Sequence, residues 1–256
     1  MITPSSPFAP LLLGVKFQSS RLDEPGETLL RSLAAQPRRR YDVHARLAVE
    51  GAPLHTPQLM VSGWACRARV LADGRRQILG LVLPGDVVGS QSGHRDVETS
   101  TTVALTPVCT VDAVHVRALQ DADHGYMPIR EAVALARRQE EYFLTCQIVR
   151  LGRQTALERL GHLLLELEFR LAARGLAHEG RFALPLTQET LADVLGLSVV
   201  HINRTLQQMR RDGLLDLLKG WLTLKDKEGL RALAEFRAPE APTLVEQVGH
   251  QAHASG

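Results

Sequence analysis

The chain has 256 residues with 45% apolar and 4% aromatic content, which is enough for one large or two small domains with mainly aliphatic cores. A formal net charge of +2 excludes a uniformly basic nucleic-acid binder, so a DNA-binding surface must concentrate its basic residues locally. The three cysteines, Cys66, Cys109 and Cys146, are far apart and odd in number, which fits a reducing compartment. No CxxC pair and no Cys/His cluster has the spacing of a zinc finger. No apolar run approaches the roughly 20 residues of a membrane helix. We therefore expect a cytoplasmic protein with no membrane partner.

The first half of the chain is predicted to be a lead-in followed by β-structure. Residues 1–26 are rich in Pro and Ser and show little periodicity, so we expect a flexible segment there. Residues 27–125 carry several short strand-like runs at close spacing, which predict a small antiparallel barrel or sandwich.

The clearest strand begins at Trp64, where apolar and other side chains alternate with a period of two. The face predicted to point inward holds Trp64, Cys66, Ala68 and Val70. Asp73-Gly74 then predicts a two-residue hairpin turn, because both central positions tolerate φ > 0. Pro84-Gly85-Asp86 marks the next corner.

The pattern becomes helical at residue 126, and residues 126–152 are predicted to form one long helix with a narrow apolar seam. Such a seam is a candidate dimer interface, the alternative being that the helix packs on the β domain. The seam residues assigned to the dimer interface are Ile129, Val133, Ala136, Phe143 and Cys146. A second helix is predicted from Gln154 to about Arg174, with Gly175 at its end.

Residues 153–237 contain a broken helical pattern that is typical of DNA-binding proteins. Thr187 is predicted to cap a helix that ends at Leu195, and Ser198 a second helix that ends near Arg211. Two short helices joined by a tight glycine-containing turn indicate a helix-turn-helix. A hairpin around Lys219-Gly220 and a short last helix follow. We expect a disordered tail at residues 238–256.

The outer face of the second helix carries the side chains suited to DNA. Arg204 can bind guanine in bidentate fashion, Gln207 or Gln208 can bind adenine, and Val200 can contact a thymine methyl group. The helix N-termini and Lys219 are suited to phosphates. The candidate DNA-binding residues are Thr187, Gln188, Ser198, Val199, Val200, His201, Asn203, Arg204, Gln207, Gln208 and Lys219. The alternative is an ordinary solvated helix face.

The order of parts resembles the Crp/Fnr superfamily of bacterial transcription regulators. The motifs that carry the resemblance are DGRRQILGLVLPGD in the β region and LTQETLADVLGLSVVHINRTL in the helix-turn-helix, and the likeness extends over about residues 27–236. It implies an α+β chain with an N-terminal cyclic-nucleotide-binding-like jelly roll, a long dimerisation helix and a C-terminal winged helix-turn-helix. It also implies double-stranded palindromic DNA, a second copy of the chain and RNA polymerase as partners.

Matched to the family pattern, Ser198 corresponds to the serine that begins the recognition helix, and Arg204 to its base-binding arginine. Two further base-binding positions, commonly charged in the best-known members, are occupied by Val199 and Val200. The apolar residues favour thymine methyl groups or DNA shape as the feature recognised. His201 and Asn203 are candidates for substitute polar contacts.

The effector and cofactor are unknown from the sequence. Cyclic-nucleotide members carry a Gly-Glu motif followed about a dozen residues later by an arginine. Here Gly89 matches the glycine, no glutamate follows it and Arg95 comes too early, so cyclic AMP is disfavoured. Without N-terminal cysteines an iron-sulfur cluster is not expected, and no metal site is predicted. A haem would need axial ligands such as His44, His55, His94 or His115. The candidate effector-pocket residues are Trp64, Gly85, Asp86 and Gly89.

The sequence suggests three functional classes. The favoured one is a DNA-binding transcription regulator controlled by an effector or redox signal in the β domain, with Cys146 either a packing residue or a redox switch. The second is an adaptor whose winged helix docks on protein. The third is an enzyme using Cys66 with His44 or His55 and Asp86, but no nucleophile motif or phosphate loop supports it, so we expect no enzymatic activity.

Overall fold

The computed structural model describes residues 35–53, 56–89, 97–113 and 127–239, with the side chains of the long helix described from residue 136 onward. Eight short strands form the first half of the described chain. The strands are β1 Arg38–Tyr41, β2 Arg46–Ala48, β3 Gln58–Ser62, β4 Ala65–Val70, β5 Arg76–Val82, β6 Val87–Val88, β7 Thr101–Ala104 and β8 Val108–Asp112.

These strands form two four-stranded sheets with the orders β1-β8-β3-β6 and β2-β7-β4-β5, and every pairing is antiparallel. The chain crosses between the sheets at nearly every step, which is the topology of a jelly roll. Both sheets contribute to the interior between them, which is filled by Leu47, Ala48, Met60, Ala65, Val82, Val88, Ala104 and Val108. The predicted β domain is confirmed.

The hairpin at Asp73-Gly74 is present, but its predicted turn type is wrong. Leu71 N–H donates to Arg75 O (2.8 Å) and Gly74 N–H donates to Leu71 O (2.9 Å), so the loop has three residues rather than two. Among its residues only Gly74 takes a positive φ, at 86°. This geometry is a type I turn followed by a left-handed glycine.

Five helices and a third four-stranded sheet form the rest of the described chain. The helices are α1 Met127–Arg153, α2 Ala156–Ala172, α3 Gln188–Leu195, α4 Val199–Arg211 and α5 Lys227–Ala234. The strands are β9 Ala177–His178, β10 Arg181–Ala183, β11 Leu215–Leu218 and β12 Trp221–Leu224, in the order β11-β12-β10-β9. The predicted α+β class is confirmed. The domain boundaries at residues 126, 153 and 237 stay predictions. None of these helices is long and apolar enough to cross a membrane, within the residues described.

The helix-turn-helix follows from local capping chemistry. The Thr187 hydroxyl accepts Thr190 N–H (3.0 Å) at the start of α3, and the Ser198 hydroxyl accepts His201 N–H (3.3 Å) at the start of α4. Between them Gly196 ends α3 with φ 61°, a left-handed conformation that favours glycine. Both predicted N-caps are confirmed.

The residues predicted to point inward do not line the interior of the jelly roll: Val70 is 62% exposed, and Trp64, Cys66 and Ala68 lie on the outer side of the sheet. These last three residues belong instead to one continuous core with the helices, which also includes Ile78 of β5 and Phe182 of β10. The predicted period of two is correct, but the predicted direction is wrong, because the C-terminal half covers the outer face of this sheet. The β domain and the C-terminal part of the chain, residues 156–236 (the winged unit), therefore share a hydrophobic core.

Candidate nucleic-acid interface

One face of α4 is buried and the opposite face is open to solvent. Ile202, Thr205, Leu206 and Met209 are buried against the rest of the unit. The exposed side chains are Val199, Val200, His201, Arg204, Gln207 and Gln208. Val200 is 66% exposed, which leaves its side chain available to a partner. The structure thus brings together six of the predicted DNA-contact residues on one helix face.

The first turn of α4 contains a coupled polar pair. The Ser198 oxygen accepts the backbone N–H of His201 and also lies 3.0 Å from the Nδ1 atom of the His201 ring. The ring is thereby held against the helix terminus, while both residues remain exposed.

Asn203 has a structural partner rather than a free amide. Its Nδ2 donates to Gln188 Oε1 (3.2 Å), which connects α4 to the first residue of α3. Asn203 is half-buried and Gln188 is exposed. Thr187 is also exposed, and its hydroxyl lies 2.9 Å from that of Thr190. Gln188 and Thr187 therefore lie together at the N-terminus of α3.

The wing is a hairpin between β11 and β12 whose two turn residues, Lys219 and Gly220, have positive φ values of 49° and 78°. The predicted hairpin is found here with a two-residue turn, and Lys219 is exposed at its tip. Arg210 Nη2 donates to Leu217 O (2.7 Å) and so connects the wing to the recognition helix.

Sequence reasoning missed part of the wing surface. Trp221 is 47% exposed, and the Arg181 guanidinium lies 5.1 Å from its ring centroid. The two residues are on neighbouring strands, two positions apart in register, so only the strand pairing brings them together. An exposed aromatic residue in a hairpin is the one signal that could have indicated this surface.

Basic groups are concentrated on this side of the unit. The α4 helix contains Arg204, Arg210 and Arg211 and no acidic residue, and all three arginines are exposed. With Lys219 on the wing they provide the local positive charge that the nearly neutral chain as a whole lacks.

The residues of the predicted dimer seam on α1 have different surroundings in the structure. The Phe143 ring lies 6.3 Å from that of Phe169 and under the Arg170 guanidinium at 5.3 Å, so it packs on its own chain. Cys146 is half-buried, and Ala136 is exposed. The side chains of Ile129 and Val133 lie outside the described residues. From residue 136 onward, the large exposed apolar side chains of α1 are Leu144 (43%), Ile148 (72%) and Val149 (50%).

Two of the candidate effector-pocket residues, Trp64 and Asp86, contact other parts of the same chain. Trp64 lies in the shared core. The Asp86 carboxylate accepts Leu83 N–H (2.8 Å) and binds Arg170 (2.7 Å) and Arg174 (2.5 Å) of α2. Gly85 and Gly89, which flank Asp86 in the sequence, have positive φ values of 92° and 96°. His55, His94, Arg95 and His115 lie outside the described residues, so the effector pocket stays a prediction.

Asp86 is held as a carboxylate in these surroundings. Burial alone would raise its pKa, but Arg174 and Arg170, with the Leu83 N–H and Arg67, lower it below the ordinary value. Asp86 therefore acts as an ionic contact between the β domain and α2.

The C-terminal end of α3 is fixed by three different elements. Gln77 of β5 donates to Asp193 O (2.9 Å), Gln147 of α1 donates to Val194 O (2.6 Å), and Arg159 of α2 donates to Leu195 O (2.9 Å). These carbonyls would otherwise lack partners at a helix end. Arg76 of β5 adds an ion pair to the Asp193 side chain at 2.5 Å. The orientation of the helix-turn-helix is thus set by the β domain and both long helices.

The cysteine chemistry does not favour a nucleophile. Burial raises the pKa of the Cys66 thiol to about 11, against an opposing effect of Arg76. Burial also raises the pKa of Cys146, although a hydrogen bond from Tyr142 opposes it. Both thiols are therefore protonated near neutral pH. Within the described residues, no group of three His, Cys, Asp or Glu side chains is arranged to hold a metal ion.

Comparisons with known proteins agree with this geometry. Residues 158–233 match the family model described as a Crp-like helix-turn-helix domain. The nitrogen fixation regulation protein FixK of Azorhizobium caulinodans is 30% identical over 178 residues, which cover 68% of this chain and 70% of FixK. The transcriptional activator protein FnrL of Cereibacter sphaeroides is 32% identical over 164 residues, covering 62% of this chain and 64% of FnrL.

Solved structures show the same fold. FixK2 from Bradyrhizobium japonicum superposes with a TM-score of 0.68 at 27% identity, covering 80% of this chain and 100% of FixK2. A CRP-family transcriptional regulator from Thermus thermophilus gives 0.59 at 21% identity, covering 80% of this chain and 100% of the regulator. The second likeness concerns the fold alone.

Proposed function

Because the chain belongs to the Crp/Fnr superfamily, whose members named above are transcription regulators rather than enzymes, we propose that it binds specific DNA sites as a homodimer and regulates transcription. The observation that carries this proposal is the exposed face of α4, which combines Arg204 with two glutamines and two solvent-exposed valines and has no acidic residue.

Each residue on this face has a role that its chemistry supports. Arg204 binds a guanine through two donors, and Gln207 or Gln208 binds an adenine. Val199 and Val200 contact thymine methyl groups.

A second group binds the phosphate backbone and sets the register of the protein on the duplex. It comprises Thr187 and Gln188 at the start of α3, Ser198 at the start of α4, and Lys219 on the wing. Asn203 supports this group by holding Gln188 in place (3.2 Å).

The homodimer forms through α1 in this proposal. Leu144, Ile148 and Val149 offer an exposed apolar surface that a second copy of the helix would bury. Two-fold symmetry then places two recognition helices in half-sites about 34 Å apart. From a bound promoter, the dimer would contact RNA polymerase.

The signal is sensed in the β domain and reaches α3 through the residues that hold its C-terminal end. An effector or redox event that moves β5 would act directly on Asp193, which binds Arg76 and Gln77. Burial raises the pKa of Cys146, which favours a packing role over a redox role for that thiol.

Selection of bound fragments from random DNA at fixed salt tests the proposed function, comparing the parent protein with Arg204→Ala. We expect a palindromic motif that becomes degenerate at one base pair per half-site in the variant, with a loss of about 1–3 kcal/mol, because the bidentate contact to guanine is removed. Arg211→Ala is the matched control, since it removes the same charge from the same helix and should weaken all sites evenly. Equal affinity and selectivity of Arg204→Ala and the parent would show that Arg204 does not bind a base.

A second function is favoured by the exposed apolar side chains of Val199, Val200 and Trp221, which also suit a protein partner. The winged helix would then be an adaptor that docks on protein. Phosphate neutralisation makes DNA affinity fall steeply with salt, whereas apolar docking does not. A flat salt dependence with no enriched motif would favour the adaptor.

A further inference from the structure

The pair formed by Ser198 and His201 determines which ring nitrogen faces outward. The Ser198 oxygen accepts the backbone N–H of His201 at 3.3 Å as the helix cap, and lies 3.0 Å from Nδ1. Because the oxygen already accepts the cap N–H, we assign its own proton to the contact with Nδ1, which is then the acceptor of the pair. The neutral imidazole carries one proton, so this arrangement places it on Nε2.

Nε2–H is therefore a donor presented on the exposed face of α4. His201 is three residues before Arg204, and residues three apart are neighbours on a helix surface. The N-terminal residues of a recognition helix are those that approach base edges. The preceding Val199 and Val200 have no polar side-chain atoms, and the Asn203 amide is half-buried and bound to Gln188. Between Ser198 and Arg204, His201 is the one polar side chain that is exposed.

We propose that His201 is a specificity-determining residue that donates from Nε2 to a purine in the major groove, and that Ser198 positions its ring. This proposal rests on the proposed function. Purines present N7 as an acceptor, guanine adds O6 and thymine presents O4, whereas the amino group of cytosine offers no acceptor to an N–H donor. N7, which both purines share, is the acceptor assigned to His201. One histidine contact at position 201 thus takes the place of the polar contacts that Val199 and Val200 cannot make.

The experiment uses the full-length protein and its selected site, with each purine of the half-site replaced in turn by its 7-deaza analogue, which lacks only the N7 acceptor. Because Arg204 and the glutamines also bind purine N7 atoms in the proposed function, the parent should be sensitive to this replacement at several positions. At one of them per half-site the weakening, about 3- to 10-fold as for one net hydrogen bond, should depend on His201. His201→Ala should bind the natural and the 7-deaza duplex equally at that position. A remaining difference there would mean that another residue makes the contact.

Two conservative variants test which ring nitrogen of His201, Nε2 or Nδ1, makes the base contact. The amide nitrogen of His201→Gln reaches the place of Nε2, so sensitivity to the 7-deaza base should persist. The shorter side chain of His201→Asn reaches only the place of Nδ1, so sensitivity should be lost. The opposite order would overturn the assignment of the outward donor.

The positioning role of Ser198 is tested by rescue. Ser198→Ala removes the hydroxyl, so it should reduce the 7-deaza effect, whereas Ser198→Thr keeps the hydroxyl and should restore it. Circular dichroism of both variants checks that α4 remains folded. Equal 7-deaza effects in the parent and Ser198→Ala would overturn this role.

Two reference measurements separate this proposal from the proposed function. If methylphosphonate replacement of a backbone phosphate, and not a 7-deaza base, abolishes the difference between the parent and His201→Ala, the donor binds phosphate and the inference is wrong. If Arg204→Ala degrades the motif while His201→Ala changes nothing, the inference fails and the proposed function stands. If neither variant changes base preference, both fail.

Discussion

At the scale of single residues, a buried polar group connects α1 to α2. The Arg150 side chain is 2% exposed and donates to Gln147 Oε1 (2.7 Å) and Glu166 Oε2 (2.5 Å), and its Nη2 lies 3.0 Å from His162 Nδ1. A buried charge is tolerated only when it is paired in this way. The arrangement makes His162 an acceptor, because Arg150 has only donors to offer.

This environment predicts an acid-sensitive fold. Burial, followed by the positive charge of Arg150 and against the effect of Glu166, lowers the pKa of His162 from 6.5 to about 4. The unfolded chain therefore binds a proton at His162 before the folded chain does as the pH falls. Its contribution to stability is complete above pH 6.5 and is lost as the pH falls towards 4.

Thermal unfolding between pH 7.5 and 4.5 measures this effect. In the parent, the midpoint should fall with pH more steeply than in His162→Asn, which retains an acceptor for Arg150 but does not titrate. If the unfolding midpoints of the two proteins fall with pH in parallel, protonation of His162 is not the cause of the lost stability.

At the scale of elements, the turn between α3 and α4 depends on Gly196. The residue has φ 61°, and a Cβ placed there would lie 3.1 Å from Leu151 Cδ2. Gly196→Ala should therefore lower the free energy of unfolding by about 1–2 kcal/mol for the left-handed conformation, with an added cost for displacing Leu151. Urea unfolding measures the change.

Gly213→Ala is the control for crowding. Gly213 also has a positive φ, at 69°, but no atom lies within 4 Å of the added Cβ. The difference between the two variants isolates the contact with Leu151. Equal losses would mean that Leu151 moves aside without cost.

The elements that were predictable from sequence are those with local chemical signals. Thr187 and Ser198 are N-caps because their hydroxyls satisfy nearby backbone N–H groups, and this needs no knowledge of the rest of the fold. Period two correctly indicated the β4 strand. It could not indicate that the Trp64 face would be covered by helices, because periodicity does not say which element packs on which face.

The candidate site likewise contains residues that local sequence predicts and residues whose contacts depend on the rest of the fold. Helical periodicity was enough to place Arg204 and Val200 on the exposed face of α4. The Ser198–His201 pair depends on a side-chain rotamer, and the stacking of Arg181 on Trp221 depends on strand register. Phe143 was assigned to the dimer seam because a sequence does not show that Phe169 of the same chain would cover it.

At the scale of the whole molecule, the exposed apolar surface of α1 predicts the effect of a charge at its centre. Ile148 is 72% exposed, so Ile148→Glu should not disturb the monomer fold. In the proposed dimer, however, it would bury two unpaired carboxylates. Sedimentation equilibrium should show a monomer, with a large loss of affinity for the palindromic site.

Leu176→Glu is the control for this change, because Leu176 is also an exposed apolar residue (44%) but lies just before β9 in the winged unit. It should remain dimeric. If Ile148→Glu also remains dimeric, α1 does not associate through this surface.

The core shared by β4, β5 and the helices has a thermodynamic consequence. Trp64 and Ile78 lose their cover if the winged unit unfolds, and Phe182 loses part of its surroundings if the β domain unfolds. The two halves should therefore melt in one calorimetric transition. Any molecule that binds only the native β domain then raises the melting temperature of the recognition helix as well, by mass action. A search for the effector can thus be conducted as a melting assay, without DNA.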